Sequence, residues 1–158
     1  MKKKEGEIDV LQGALIRPMR KEDIFQVSQI EKLSFPSPWS CSIFSSELDK
    51  KNFTFYYVME YQDEVIAYTG YWKLANEAHL VNLAVYPAFR RKGLGSKLLK
   101  YVLEKTQNQG LDTITLEVRR FNLTAQKFYE RFDFKKVAIR PGYYVETGED
   151  ALVYWKKI

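Results

Sequence analysis

Between Ala78 and Val118 the hydrophobic period of the chain changes twice, and no other stretch limits the fold so tightly. "AHLVNLAVY" (78–86) is apolar at nearly every position, the pattern of a central strand covered on both faces. The chain then passes Pro87 and three consecutive cations, Arg90, Arg91 and Lys92, and reaches Gly93 and Gly95. From Gly95 to Asn108 the apolar residues Leu98, Leu99, Val102 and Leu103 recur at helical spacing, with Lys97, Lys100, Glu104 and Lys105 outward and Gly110 suited to the stop. "TITLEV" (113–118) alternates: Ile114, Leu116 and Val118 share one face, Thr113, Thr115 and Glu117 the other. Strand, helix and strand follow one another with little chain between them.

The flanking sequence adds shorter elements. "ALIRPM" reads as a strand stopped by Pro18, followed by a helix from Lys21 to Leu33 with Ile24, Val27, Ile30 and Leu33 at helical spacing. "SFPSPWS" breaks it, since prolines cannot sit in a helix interior, and a short helix from Ser40 to Asp49 follows. "FTFYYVMEY" and "EVIAYTGYWK", separated by Gln62 and Asp63, form an antiparallel hairpin. Asn122 caps a helix that carries Ala125, Phe128, Tyr129 and Phe132 on its apolar stripe. The last residues, from Lys135, read as two strands around a long loop. The order predicts an α/β (α+β) class: a mixed, mostly antiparallel twisted sheet of about seven strands with about four helices. With no repeat or linker in the chain, residues 13–158 are expected to form one domain behind a flexible basic tail, residues 1–12.

Some function classes are excluded early. A lone Cys41 cannot close an intramolecular disulfide, and with His79 as the single histidine no zinc-type ligand set exists, so no metal is expected. No segment approaches 18 apolar residues and no apolar signal core follows "MKKKEGEIDV", which predicts a cytoplasmic protein with no membrane partner. The 25 Lys and Arg residues against 20 Asp and Glu, a net charge of +5, leave polyanions as candidate partners.

The cations gather where a phosphate would want them. Backbone N–H groups at a helix start lack partners and carry the positive end of the helix dipole. Gly93 and Gly95 present no side chains that would hold an anion off, and Arg90, Arg91 and Lys92 add charge. The stretch from Arg90 to Ser96, including the amide of Leu94, suits a pyrophosphate; a plain tight turn is the alternative reading. The G-x-x-x-x-G-K-[ST] pattern is absent, and Leu98 stands where a dinucleotide fingerprint needs its third glycine.

"R-R-K-G-L-G" (90–95) after "NLAVYP", with "LEVRRFNLTAQKFYERFDF" (116–134), "YYVETGEDA" and "SFPSPWS", resembles the GNAT N-acetyltransferases across nearly the whole chain from Leu15, and in particular the branch that acetylates protein N-termini. The resemblance implies acetyl-CoA as cosubstrate, its pyrophosphate on residues 90–96, its pantetheine arm along Leu83, Ala84 and Val85, and a further contact from Asn122. It implies Glu117 as general base and Tyr129 as proton donor to the CoA sulfur. It places Phe35, Trp39, Tyr143 and Tyr144 at the acceptor entrance. The implied reaction is direct transfer to the N-terminal α-amine of a protein, with a ribosomal protein as the kind of substrate and no direct nucleic-acid binding.

Read from the residues alone, Glu117 is an acid pairing with Arg119 or Arg120, Tyr129 is a core aromatic, the four entrance aromatics plug the edge of the core, and His79 is a strand residue or an auxiliary base. A lysine or polyamine acceptor, and a basic RNA- or ribosome-binding module without catalysis, remain alternatives. The sequence departs from the family in carrying Phe132-Asp133 where Leu-Gly is usual; Asp tolerates the left-handed backbone that a helix end there requires.

Overall fold

The computed structural model describes residues 10–158. Its helices are α1 (Val10–Gly13), α2 (Ile24–Ser34), α3 (Cys41–Asp49), α4 (Leu94–Asn108) and α5 (Leu123–Arg131). Its strands are β1 (Leu15–Pro18), β2 (Thr54–Tyr61), β3 (Glu64–Leu74), β4 (Glu77–Val85), β5 (Thr113–Arg119), β6 (Lys135–Tyr144) and β7 (Glu149–Lys157). One seven-stranded sheet has the order β1-β2-β3-β4-β5-β7-β6. β1 with β2, β5 with β7 and β6 with β7 are antiparallel, while β4 and β5 are parallel, as the crossover through α4 requires. The mixed, mostly antiparallel class expected from the sequence is therefore the one observed. α1 occupies part of the expected tail, and residues 1–9 lie outside the described residues.

The chain forms two compact units: the described residues up to Gly70 with Asn82–Tyr101, and Tyr71–Val81 with Val102–Ile158. In the first unit α2 and α3 bury Ile24, Val27, Ile30 and Phe44 with Met19, Tyr56, Val58, Val65, Tyr68 and Ala84. A second cluster gathers Ala14, Met59, Ile66, Ala67, Leu94 and Leu98. Ser40 caps α3 by accepting the Ile43 N–H at 3.2 Å. Gln62 and Asp63, with φ of 49° and 63°, make the two-residue turn that joins β2 to β3.

In the second unit Ile114, Leu116 and Val118 of β5 are buried, as their alternation predicts, with Ala151, Leu152 and Tyr154 of β7. Asn122 caps α5 as expected, its side chain accepting the Ala125 N–H at 3.1 Å. Asp133 ends that helix at φ 65°, with the Asp133 N–H on the Glu130 carbonyl, so aspartate supplies the left-handed residue in place of glycine.

Two expectations need correction. Coverage on both faces belongs to β3, where Val65 to Tyr71 are all buried; β4 alternates, burying Ala78, Leu80, Asn82 and Ala84 and leaving His79, Val81, Leu83 and Val85 partly open. An unbroken apolar run does not distinguish a covered strand from one whose second face is apolar and available. The long C-terminal loop is in fact the short link 145–148 of a hairpin: β6 runs on to Tyr144, through Pro141 and a register shift between Arg140 and Tyr144. Proline and glycine read as a loop signal, yet β6 is the outermost strand, where a missing N–H costs no ladder bond.

Candidate active site

The first unit carries the phosphate-type loop. After β4 the chain turns at Pro87–Phe89, with the Tyr86 N–H on the Ile66 carbonyl at 2.8 Å, and takes left-handed backbone at Arg91 (φ 61°) and Gly93 (φ 79°). Leu94, 1% exposed, and Leu98 anchor the start of α4 in the core. The Lys97 N–H bonds the Gly93 carbonyl at 3.1 Å, so the amides of Leu94, Gly95 and Ser96 precede the intrahelical ladder. Gly93 is exposed and Gly95 and Ser96 are half-buried, which leaves the helix mouth open to an anion.

The three cations fall into two placements. Arg91 and Lys92 are exposed. The Arg90 guanidinium braces the loop from below, Nε donating to the Val85 carbonyl at 2.8 Å and Nη2 to Ser34 Oγ at 3.1 Å. Leu83 and Val85 are half-buried and Ala84 is buried. β4 pairs with β5 over Glu77–His79 and stops at His79 with Thr115, short of Leu83. Phe35 and Trp39 pack partly buried against the α2–α3 core, with Trp39 tilted on Phe44 at 5.4 Å, so each has one face in the core.

The second unit carries the carboxylate. The parallel register sets His79 opposite Thr115, and Glu117 is the next residue on that face of β5. His79 Nε2 stands 2.8 Å from Glu117 Oε2 and its Nδ1 3.0 Å from Thr115 Oγ1. Nε2–H donates to the carboxylate while the other ring nitrogen meets the threonine hydroxyl, so both edges of the ring are held. Trp72 lies against the imidazole, ring centroids 5.7 Å apart. The other neighbour of Glu117 is the exposed Arg140, Nε at 3.8 Å. The pairing with Arg119 or Arg120 considered from the sequence does not occur. Arg119 reaches Glu149 at 3.4 Å and Thr147 at 3.2 Å, and Arg120 reaches Asp150 at 3.2 Å.

Those arginines hold the hairpin that carries the two tyrosines. The Arg119 guanidinium lies 3.8 Å from the centre of the Tyr144 ring, a cation–π stack, and Asp150 also accepts the Gly142 N–H at 2.9 Å. Tyr143 is 45% exposed and meets Tyr144 edge-on. Burial pushes the Tyr144 hydroxyl up to about 12, with Arg119 opposing and Glu117 adding to the shift. Tyr129 is buried between Phe128 and Phe134, and that burial raises its hydroxyl pKa further still. The hydroxyl makes no hydrogen bond among the described residues, so its proton is free to donate.

Sequence reasoning gives His79 only a secondary part and Arg119 no stacking role. The register that brings His79 to Glu117 is tertiary and leaves no mark in the sequence, whereas Arg119, two residues from Glu117 on the same strand face, can be suspected from alternation alone. Among the described residues no three His, Cys, Asp or Glu side chains are grouped to hold a metal, and no helix is long and apolar enough to cross a membrane.

The Acetyltransferase (GNAT) family model matches residues 24–134. A Bacillus subtilis (strain 168) protein named as a candidate ribosomal protein bS18-alanine N-acetyltransferase is 37% identical over 145 residues, 92% of this chain and 96% of its own. The ribosomal protein bS18-alanine N-acetyltransferase of Escherichia coli (strain K12) is 31% identical over 140 residues, 87% of this chain and 93% of its own. The crystal structure of the Escherichia coli ribosomal-protein-S18-alanine N-acetyltransferase superposes with a TM-score of 0.84 at 28% identity, covering 92% of this chain and 94% of that one.

Proposed function

The chain belongs to the GNAT family of acetyltransferases, and from that premise we propose that it acetylates the N-terminal α-amine of a ribosomal protein in the cytoplasm. The observation that carries the mechanism is the Glu117 carboxylate, which is 11% exposed, engaged by His79 at 2.8 Å, with only the long contact to exposed Arg140 at 3.8 Å besides among the described residues, while Arg119 and Arg120 pair elsewhere.

Acetyl-CoA supplies the thioester. The amides at Leu94, Gly95 and Ser96, with Arg91 and Lys92, bind its diphosphate, and the open helix mouth fits that group. Arg90 shapes the loop. The backbone of Leu83 to Val85, past the end of the β5 pairing, receives the pantetheine arm as an added strand would, and an amide there donates to the developing oxyanion. Glu117, oriented by His79, takes the proton of the α-amine. At a pKa of about 7.7 to 8.0 that amine costs roughly 1 kcal/mol to deprotonate at neutral pH, against nearly 5 for a lysine, so one carboxylate suffices. Tyr129, kept protonated because burial raises its pKa, donates to the departing sulfur as the C–S bond breaks, and the second amine proton, lost as the amide forms, restores the phenol. Asn122 has its carboxamide oxygen on the Ala125 amide and offers its NH₂ outward.

A polyamine acceptor would need free acids near the tyrosine hairpin. Glu149 and Asp150 are paired with Arg119 and Arg120, which leaves the exposed Glu146 and favours a peptide. The test is intact mass and peptide mapping of purified ribosomal proteins incubated with the enzyme and acetyl-CoA. One acetyl group on an α-amine is the expected product; acetylation confined to lysine side chains refutes the reading.

A further inference from the structure

α2 buries an acid that the reaction above does not use. Glu31 is 2% exposed, and three donors converge on its carboxyl group: the Trp39 N–H on Oε1 at 3.1 Å, the Asn82 Nδ2–H on Oε2 at 3.1 Å, and the Tyr68 hydroxyl, also on Oε2. Asn82 Nδ2 lies 3.3 Å from the Tyr68 oxygen as well, and the Asn82 carbonyl accepts from Thr69 Oγ1 at 2.8 Å. The four polar groups come from α2, the loop after it, β3 and β4. Three of them sit on rigid elements and one, the Trp39 amide, sits on the proline-broken segment 35–40. The Tyr68 ring is held in turn by Phe44, edge-on at 5.8 Å, and Phe44 carries Trp39 on its other side.

No ladder holds the 35–40 segment. Its polar anchors are the Phe35 N–H on the Glu31 carbonyl at 3.0 Å, the Trp39 N–H on the Glu31 carboxyl, and Ser40 as the cap of α3. Two of the three therefore run through one residue. We propose that Glu31 is the positioning residue of the acceptor-side loop, its carboxylate fixed by Tyr68 and Asn82 and holding the Trp39 amide, so that its protonation state sets how firmly residues 35–40 are presented. This rests on the reading of Phe35 and Trp39 as acceptor-side residues.

The groups facing the carboxyl are the Trp39 amide from the loop, the Tyr68 phenol from β3 and the Asn82 amide from β4; no cation among the described residues pairs with it. Burial raises its pKa from 4.5 to about 7, with the Trp39 and Asn82 bonds opposing. As a carboxylate it accepts from all three donors. Once protonated it can donate to the Tyr68 oxygen, the one facing group able to accept, and its bond to the Trp39 amide changes from charge-assisted to neutral. The loop amide is then held by the weaker of the two bonds.

The experiment uses full-length protein grown with 5-fluorotryptophan, which gives one ¹⁹F resonance for each of the three tryptophans, Trp39 being assigned from W39F. In the parent the Trp39 resonance is expected to titrate with a midpoint near pH 7, and in Glu31→Gln it is not. Tyr68→Phe removes one donor to the charged form and should move the midpoint up by about one pH unit, which keeps the test open if Glu31→Gln fails to fold. With a free-amine peptide at pH 8, Glu31→Gln raises the peptide KM about tenfold, the loss of one hydrogen bond to a charged group, while the KM for acetyl-CoA stays unchanged. A Trp39 resonance indifferent to pH in the parent, or titrating alike in all variants, overturns the assignment, as does an unchanged peptide KM. If the parent turns over no free-amine peptide, the acetyl-transfer reading fails by itself and the resonance still decides the role of Glu31.

Discussion

Replacing Glu117 by glutamine is the sharpest perturbation of the proposed chemistry, because the structure lets geometry and basicity be separated. In Glu117→Gln the new carboxamide oxygen would still accept the His79 N–H, and the long contact to exposed Arg140 is worth little in water. What disappears is the group that takes the proton. A positioned general base contributes roughly 10²- to 10⁴-fold, so kcat/KM at pH 7 should fall by at least about 10²-fold, near 3 kcal/mol of transition-state stabilisation. The deficit should depend on pH in a particular way. An α-amine of pKa about 7.8 is roughly 14% neutral at pH 7 and more than about 90% neutral at pH 9. The variant, which must wait for the neutral amine, should therefore gain about sevenfold on the parent over that interval. Steady-state rates on an alanine-initiated peptide between about pH 6.5 and 9 give the profile, and calorimetric titration with CoA checks that cofactor affinity is unaltered. Parallel profiles for parent and variant would remove Glu117 from proton transfer; a loss of CoA affinity would show that the substitution had disturbed the fold instead.

Tyr129→Phe should lower kcat by about 10-fold or more, on the order expected for a lost proton donor, with a thermal midpoint within about 1 °C of the parent, since the hydroxyl bonds nothing among the described residues. Gly70→Ala drives a methyl into the Cδ1–Cε1 edge of the Tyr56 ring, with Cγ at 2.9 Å the farthest of the three clashing atoms. Overpacking of this kind costs about 1 to 3 kcal/mol, read as a drop of several degrees in a melt, and Tyr56→Leu in the same chain should recover part of it. Asp133→Gly relieves a left-handed side chain at φ 65° and should stabilise by about 0.5 kcal/mol in urea titration. The native state keeps a proton on Glu31 that the unfolded chain releases near 4.5, so its contribution to stability is lost as pH rises from 4.5 to about 7, amounting to about 3 kcal/mol in all. Urea midpoints of the parent at about pH 5 and 8 should show that fall, and those of Glu31→Gln should not.

Local signals serve the sequence reading well where one element decides the outcome. The alternation in β5, the Asn122 cap and the Gln62-Asp63 turn are each short-range, and each stands as expected. Family membership and the acetyltransferase reading follow from joint motifs that no single element carries. Long-range consequences stay hidden. The His79–Glu117 pair depends on which residue of β5 stands opposite His79, and that is fixed by packing across the sheet. β4 alternates where cover on both faces is expected, and β3 is the strand so covered, because both are apolar and only their neighbours tell them apart. Glu31 is a different case: it falls four residues after Val27 and one after Ile30, on the buried stripe of α2, so helical periodicity alone marks it as an acid out of place.

The outermost strand has a further effect. β6 presents Lys135, Lys136 and Arg140 to solvent, lacks a ladder N–H at Pro141, and shifts register before Tyr144. An open margin of this kind repels and misaligns any second copy that tries to extend the sheet. The same irregular stretch that brings the two tyrosines to their place thus works against fibril growth, and a straightened, uncharged β6 would trade that protection for aggregation.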